Sequence, residues 1–119
     1  MKKAALLAAA SAIAWVWWRA RPFRVEIEGD SMSPTLSAGD WAIAMRTSPR
    51  PGDVVVLEHP KRPGFELVKR ATGRSDSGEW FVEGDNPEES TDSRSFGPVP
   101  ASAIRGCVRF VYAPRLRLV

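Results

Sequence analysis

Phe65-Glu66-Leu67-Val68-Lys69-Arg70-Ala71-Thr72 alternates in a way that only an extended strand explains. With a side-chain period of two, Phe65, Leu67, Lys69 and Ala71 share one face, and Glu66, Val68, Arg70 and Thr72 share the other. The first face is apolar except for Lys69, and the second carries charge. A lysine on an apolar face is costly unless it is partly neutral or well paired. That cost is useful to a catalytic base, because desolvation lowers an amine's pKa. An arginine there could not deprotonate. Taken alone, Lys69 reads equally as a lysine snorkelling at a strand end.

The same pattern of short runs recurs along the chain. Arg24 to Glu28, Trp41 to Met45, Asp53 to Leu57, Glu79 to Glu83 and Cys107 to Tyr112 are strand candidates rich in valine and aromatics. Gly-Asp pairs sit at or near strand edges: Gly29-Asp30, Gly39-Asp40, Gly52-Asp53 and Gly84-Asp85. Regular strands and turns predict a mainly β fold, a small twisted antiparallel barrel or sandwich. Asn86 to Pro100 lacks periodicity and reads as an ordered loop, with one helical turn over Pro100 to Ile104. Residues 24–119 form the one expected globular domain, large enough for a modest core.

Residues 1–23 differ from the rest. Lys2 and Lys3 precede the alanine-rich run Ala4 to Trp18, closed by Arg19. Fifteen helical residues reach about 22 Å, short of the ~30 Å hydrocarbon core, although snorkelling cations and interfacial tryptophans could close the gap. The first expectation is a helical single-pass membrane anchor in contact with lipid. A cleaved secretory signal, with small residues flanking Ile13, and a soluble or surface-lying helix stay open. Lys2 and Lys3 favour a cytoplasmic amino terminus, with the body extracytoplasmic. Arg19, Arg21 and Arg24 argue the reverse, so the membrane side stays open.

Composition removes several function classes. A single cysteine, Cys107, gives no intrachain disulfide and no cysteine-based zinc site, and with one histidine no metal or cofactor is expected. Cys107 reads as a small buried strand residue. The formal charge is +3, but the arginines are scattered without aromatic interleaving, so no nucleic-acid partner is expected. His59 lies in a loop with nothing to place it beside a serine and an acid, and reads as a surface residue. If a serine is activated, a lysine must supply the base. Of four lysines, only Lys69 lies in a strand of the body. Ser31 follows Gly29-Asp30 where a strand breaks into a turn. There its side chain is exposed and its backbone N–H is available to an oxyanion. A serine after Gly-Asp is, by itself, usually a turn residue.

Taken in order, the motifs resemble those of the signal peptidase I family. Gly29-Asp30-Ser31-Met32-Ser33-Pro34-Thr35-Leu36, ending in Gly39-Asp40, resembles its nucleophile box. Pro51-Gly52-Asp53-Val54-Val55-Val56 resembles the next family strand, and Val68-Lys69-Arg70-Ala71 with Gly73 the lysine box. Gly84-Asp85-Asn86, then Ser90-Thr91-Asp92-Ser93-Arg94 and Phe96-Gly97-Pro98-Val99-Pro100, resembles the last box. Each motif is weak alone, and the ordered set spans most of Gly29 to Arg109.

The resemblance implies a serine endopeptidase that removes signal or leader peptides after small residues. Ser31 would be the nucleophile, Lys69 the general base, and Ser90 the residue orienting the amine. Asp85, Asp92, Arg70 and Arg94 would form a supporting ion-pair network. Val25, Ile27 and Val68 would line small pockets for substrate residues before the cut. Ser90, Asp92 and Arg94 would point the same way if their segment is extended. Two departures stand out. Gly29 occupies a position where some members carry a serine that donates to the oxyanion. Arg74 to Glu83 is too short for the accessory β-domain of many bacterial members.

Other readings stay open. The short core also resembles maturation proteases of nickel-type superoxide dismutase, which act on one dedicated substrate. Self-cleaving repressor proteases share the Gly-Asp-Ser-Met-like start, but no Ala-Gly cleavage segment precedes Ser31. A non-catalytic β-barrel binding module would need neither Ser31 nor Lys69.

Overall fold

The computed structural model describes residues 2–119. Helix α1 covers Lys2–Ala20, as an alanine- and leucine-rich stretch favours. It ends where Pro22 disfavours helical backbone at Arg21. Only Ala20 of α1 is buried. That end docks to the body through the Arg46 N–H, which donates to the Ala20 carbonyl. The Arg46 guanidinium donates to the Arg21 carbonyl (2.6 Å) and lies over the Phe23 ring. No helix among the described residues is long and apolar enough to cross a membrane. The spanning anchor expected from the sequence is corrected on that point: alanine supplies helix propensity but little hydrophobicity.

The body is a seven-stranded antiparallel sheet. Its strands are β1 Phe23–Glu26, β2 Trp41–Met45, β3 Val54–Glu58, β4 Glu66–Arg74, β5 Trp80–Glu83, β6 Ile104–Ala113 and β7 Arg117–Leu118. They pair in the order β1-β2-β6-β3-β4-β5, with β7 on β6. The mainly β expectation holds, but the sheet does not close into a barrel. Strands β1 and β5 end the pairing order without meeting. Along β4, strand β5 covers Arg70 to Arg74, which leaves Glu66 to Lys69 joined to β3 alone. The outer side of β1 and the first half of β4 are therefore left without a strand partner among the described residues.

Burial explains the order. Strand β3 is the central ribbon, and Val54, Val55, Val56 and Leu57 are all buried because both faces of the sheet are covered. On one face Val54 and Val56 pack with Val25, Ile27, Met32, Leu36, Ala42, Ala44, Val108 and Val111. On the other, Val55 and Leu57 pack with Ala71, Trp80, Val82, Val99 and Cys107. Each such side chain contributes about 1.5–3 kcal/mol when fully buried, so a polar residue at Val55 or Val56 would break the sheet. Cys107 is the buried strand residue expected.

The strands read from sequence are recovered within a few residues at their ends, apart from the two-residue β7. Phe65 is a correction: it lies outside β4, 44% exposed, with Arg62 stacked on its ring. Asn86 to Pro100 is more structured than a loop. It holds a 3-10 turn at Pro87–Glu89 and the short helix α2, Ser93–Phe96. The turn expected near Pro100 is a 3-10 turn, Ala101–Ala103.

Candidate active site

Ser31 and Lys69 line the same cavity, of about 550 Å³, which lies between the unpaired edges of β1 and β4. Val25, Ile27 and Val68 contribute its apolar wall, and Arg24, Glu26, Glu28, Glu66 and Arg105 its charged rim. His59 is not among the lining residues. It is half-buried against Phe65 and Phe96, with Nδ1 accepting the Lys61 N–H, so the expected surface histidine is a packing residue.

The turn carrying Ser31 is held from below and from both ends. Met32 and Leu36 are buried in the core, and Leu36 N–H donates to the Met32 carbonyl (2.9 Å). Gly29 has φ +73, where a residue with a side chain is strained. That backbone requirement is a physical reason for glycine at a position where a serine was one alternative. At the far end, Arg117 of β7 donates to the Thr35 carbonyl (3.2 Å) and pairs with buried Asp40.

Lys69 is only 3% exposed. Its Nζ donates to Ser90 Oγ (3.0 Å), and Ser90 Oγ donates to Asp92 Oδ2 (2.9 Å). Asp92 is 1% exposed and fully engaged. It also accepts the Gly84 N–H (2.9 Å), the Arg94 N–H (3.1 Å) and the Arg94 guanidinium. Burial works to raise the Asp92 pKa, but hydrogen bonds from Arg94, Gly84 and Ser90 outweigh it and hold the carboxyl well below its usual range. Burial pushes the Lys69 amine below the ordinary lysine value; the Asp92 charge opposes this and the Arg94 charge adds to it.

The direction of these bonds matters. An ionised Asp92 can only accept, so the single Ser90 proton goes to it. Ser90 then offers Lys69 lone pairs alone. A neutral amine donating to Ser90 keeps its own lone pair free on another side.

The expected single ion-pair network is two separate pairs. Arg70 grips Asp85 with two bonds (2.9 and 2.8 Å) and donates to the Gly52 carbonyl (2.6 Å). Thr35 Oγ1 donates to Asp85 Oδ2 (2.6 Å), so this pair fastens the serine turn to β4. Arg70 first, and then Thr35 against the effect of burial, lowers the Asp85 pKa. The other pair is Asp92 with Arg94, and Arg94 also approaches Glu83 (3.6 Å). Extended geometry does not bring these residues together, which corrects that expectation. Asp92 caps the N-terminus of α2, and Arg94, inside α2, folds back onto it.

Thr35, Gly84 and Asn86 were given no role by sequence reasoning. A Cβ at Gly84 would meet Ser90 Oγ at 2.2 Å and the Ser31 carbonyl at 2.6 Å, so only glycine lets the two sides approach. Asn86 N–H donates to the Ser31 carbonyl (2.9 Å), and its Nδ2 donates to the Asp30 carbonyl (3.1 Å). The Gly84-Asp85-Asn86 box was visible in the sequence, but only Asp85 had a partner that charge could suggest.

Comparison with known proteins follows the same lines. The family profile described as signal peptidase, peptidase S26, matches residues 1–76 and 72–113. Mitochondrial ATP-independent inner membrane protease subunit 1b of Arabidopsis thaliana is 36% identical over 107 residues, covering 67% of this chain and 63% of that protein. Mitochondrial inner membrane protease subunit 1 of Xenopus tropicalis is 33% identical over 107 residues, covering 68% and 64%. The Homo sapiens subunit 1 is 32% identical over 114 residues, covering 76% and 69%. The chain thus spans a little under two thirds of the plant and frog proteins. With a profile match over most of its length and a human relative covered beyond two thirds, the chain belongs to the signal peptidase family, peptidase S26.

Proposed function

We propose that the protein is a serine endopeptidase that cuts signal or leader peptides after small residues, with Ser31 as nucleophile and Lys69 as general base. The observation that carries this reading is the buried amine of Lys69, held on one side by Ser90 and opening on the cavity that Ser31 also lines. A peptide enters in extended form between the free edges of β1 and β4, where unpaired backbone can add a strand. Val25, Ile27 and Val68 leave room for small side chains beside the bond to be cut. Neutral Lys69 takes the Ser31 proton as Oγ attacks the carbonyl carbon, and then passes it to the leaving amine as the C–N bond breaks. Water, activated by Lys69 again neutral, cleaves the acyl ester and restores Ser31.

The test uses an alanine-x-alanine leader peptide with Ser31→Ala, Lys69→Ala and Lys69→Arg. Each variant is expected to lose about 10³-fold or more in kcat, the arginine because it keeps the charge but cannot deprotonate. Full activity in either alanine variant would sink the dyad.

The membrane is the second part of the reading. The relatives are named as inner membrane proteases. Helix α1 exposes Leu6, Leu7, Ile13, Trp15, Trp17 and Trp18, with lysines at one end and Arg19 stacked on Trp15 at the other. This composition suits the headgroup boundary, where tryptophan and arginine are favoured. The full chain should float with lipid vesicles, and a chain lacking residues 2–19 should not. Equal flotation of both would remove α1 from this role.

A further inference from the structure

The bonds around Asn86 reach the peptide unit that precedes the candidate nucleophile. The Asp30 carbonyl accepts from the Ser33 N–H (3.2 Å) and from Asn86 Nδ2 (3.1 Å). The Ser31 carbonyl accepts from the Asn86 N–H (2.9 Å). One residue thus holds the carbonyls on both sides of Ser31. A trans peptide is planar, with its C=O and N–H pointing in opposite directions. Fixing the Asp30 carbonyl toward Asn86 therefore fixes the Ser31 N–H away from it. Among the described residues that N–H has no protein acceptor, and it belongs to a residue lining the cavity. Gly84 carries no side chain, so the segment bearing Asn86 can come this close. Gly29, with no side chain to donate, makes the backbone N–H of Ser31 more important.

We propose that Asn86 is a positioning residue: its side-chain amide locks the Asp30–Ser31 peptide plane so that the Ser31 N–H meets the oxyanion formed on the substrate carbonyl. This rests on the reading of Ser31 as nucleophile. The donor must point at where charge develops, and a fixed donor needs no reorganisation as the tetrahedral intermediate forms. Asn86 itself touches no reacting atom. Its amide carries no charge and does not contact Lys69, so an uncharged replacement leaves the protonation of the base alone.

Those features give a distinctive test. Asn86→Leu keeps the backbone N–H bond to the Ser31 carbonyl and about the same side-chain size, adds no charge, and loses the amide donor. Asn86→Ala removes the side chain, and thermal melts report whether each variant folds. On the leader peptide, Asn86→Leu is expected to lose about 10- to 100-fold in kcat, with KM within about twofold and an unchanged pH–rate midpoint. A peptide aldehyde, whose hemiacetal places an oxyanion at the site, should bind more weakly in the same proportion. An uncleavable peptide of the same sequence should bind as before. If kcat stays within about twofold, or if the loss falls on KM or on the pH midpoint, the positioning role is overturned. Ser31→Ala in the same series separates the two readings. Activity retained there overturns the nucleophile itself, whereas a dead Ser31→Ala beside fully active Asn86 variants overturns the role of Asn86 alone. Should Asn86→Ala fail to fold, the leucine variant decides.

Discussion

The two ion pairs behind the cavity look alike and stand in different relations to the chemistry. Arg70–Asp85 joins β4 to the serine turn through Thr35, and none of its atoms bonds Lys69 or Ser90. Asp92–Arg94 reaches Lys69 through one hydroxyl, that of Ser90. The first pair is a strut that sets where Ser31 lies relative to β4. The second decides which way a proton points and how much charge the amine senses. Ion pairs at a site therefore cannot be treated as one network because they are neighbours in sequence. What each one touches separates position from protonation.

Of the two pairs, the larger effect is expected from breaking the second at its buried member. Asp92→Ala leaves the Gly84 N–H without its acceptor and frees the Ser90 hydroxyl to donate toward Lys69, where it would occupy the lone pair needed for catalysis. The loss of buried hydrogen bonds to a charged group costs about 2–3 kcal/mol of stability. A fall in kcat of about 10²- to 10³-fold is expected. The same change removes the charge that raises the amine's pKa, so the rising limb of the pH profile should move to lower pH. Asp85→Ala is the matched control and should be milder, about 10- to 100-fold in kcat/KM through misplacement of Ser31, with the limb where it was. A limb that moves equally in both would erase the distinction between strut and proton relay.

Much of this was legible from sequence for a physical reason. Strand β4 announces itself because an alternating pattern has one meaning in an extended chain, and Lys69 stands out by breaking it. Val25 and Ile27 share a face by the same period of two, whereas Val68 lies on the charge-bearing face of its strand and is marked for the cavity only by the family resemblance. Closure was not legible. Whether β1 and β5 meet depends on strand lengths and on bulges such as those between Ile43 and Ala44 and between Ala71 and Gly73. A short sequence pattern does not encode either. Arg94 pairs with Asp92, but by a different path from the extended one, since Asp92 and Ser93 start a helical turn there. The side chains of Thr35 and Asn86 each make one polar bond across 50 or more residues of chain. Nothing in their neighbourhoods signals such partners.

The smallest effect is the most discriminating. As the proposed base, Lys69 has to be neutral, so activity should rise with pH through the amine's pKa, which lies below the ordinary lysine value of 10.5. Arg94 contributes to that lowering through its charge, so Arg94→Ala should raise the pKa and move the limb to higher pH. Its loss also leaves the Asp92 charge less compensated, and that acts in the same direction. Because the Arg94 side chain is 45% exposed, solvent screens it. The expected cost is only about two- to fivefold in kcat on the rising limb and nothing on the alkaline plateau. Added salt should shrink the difference between wild type and variant, since the interaction is partly in water. A loss that persists on the plateau would mean that Arg94 acts by holding Asp92 in place, and the second pair would then be a strut like the first.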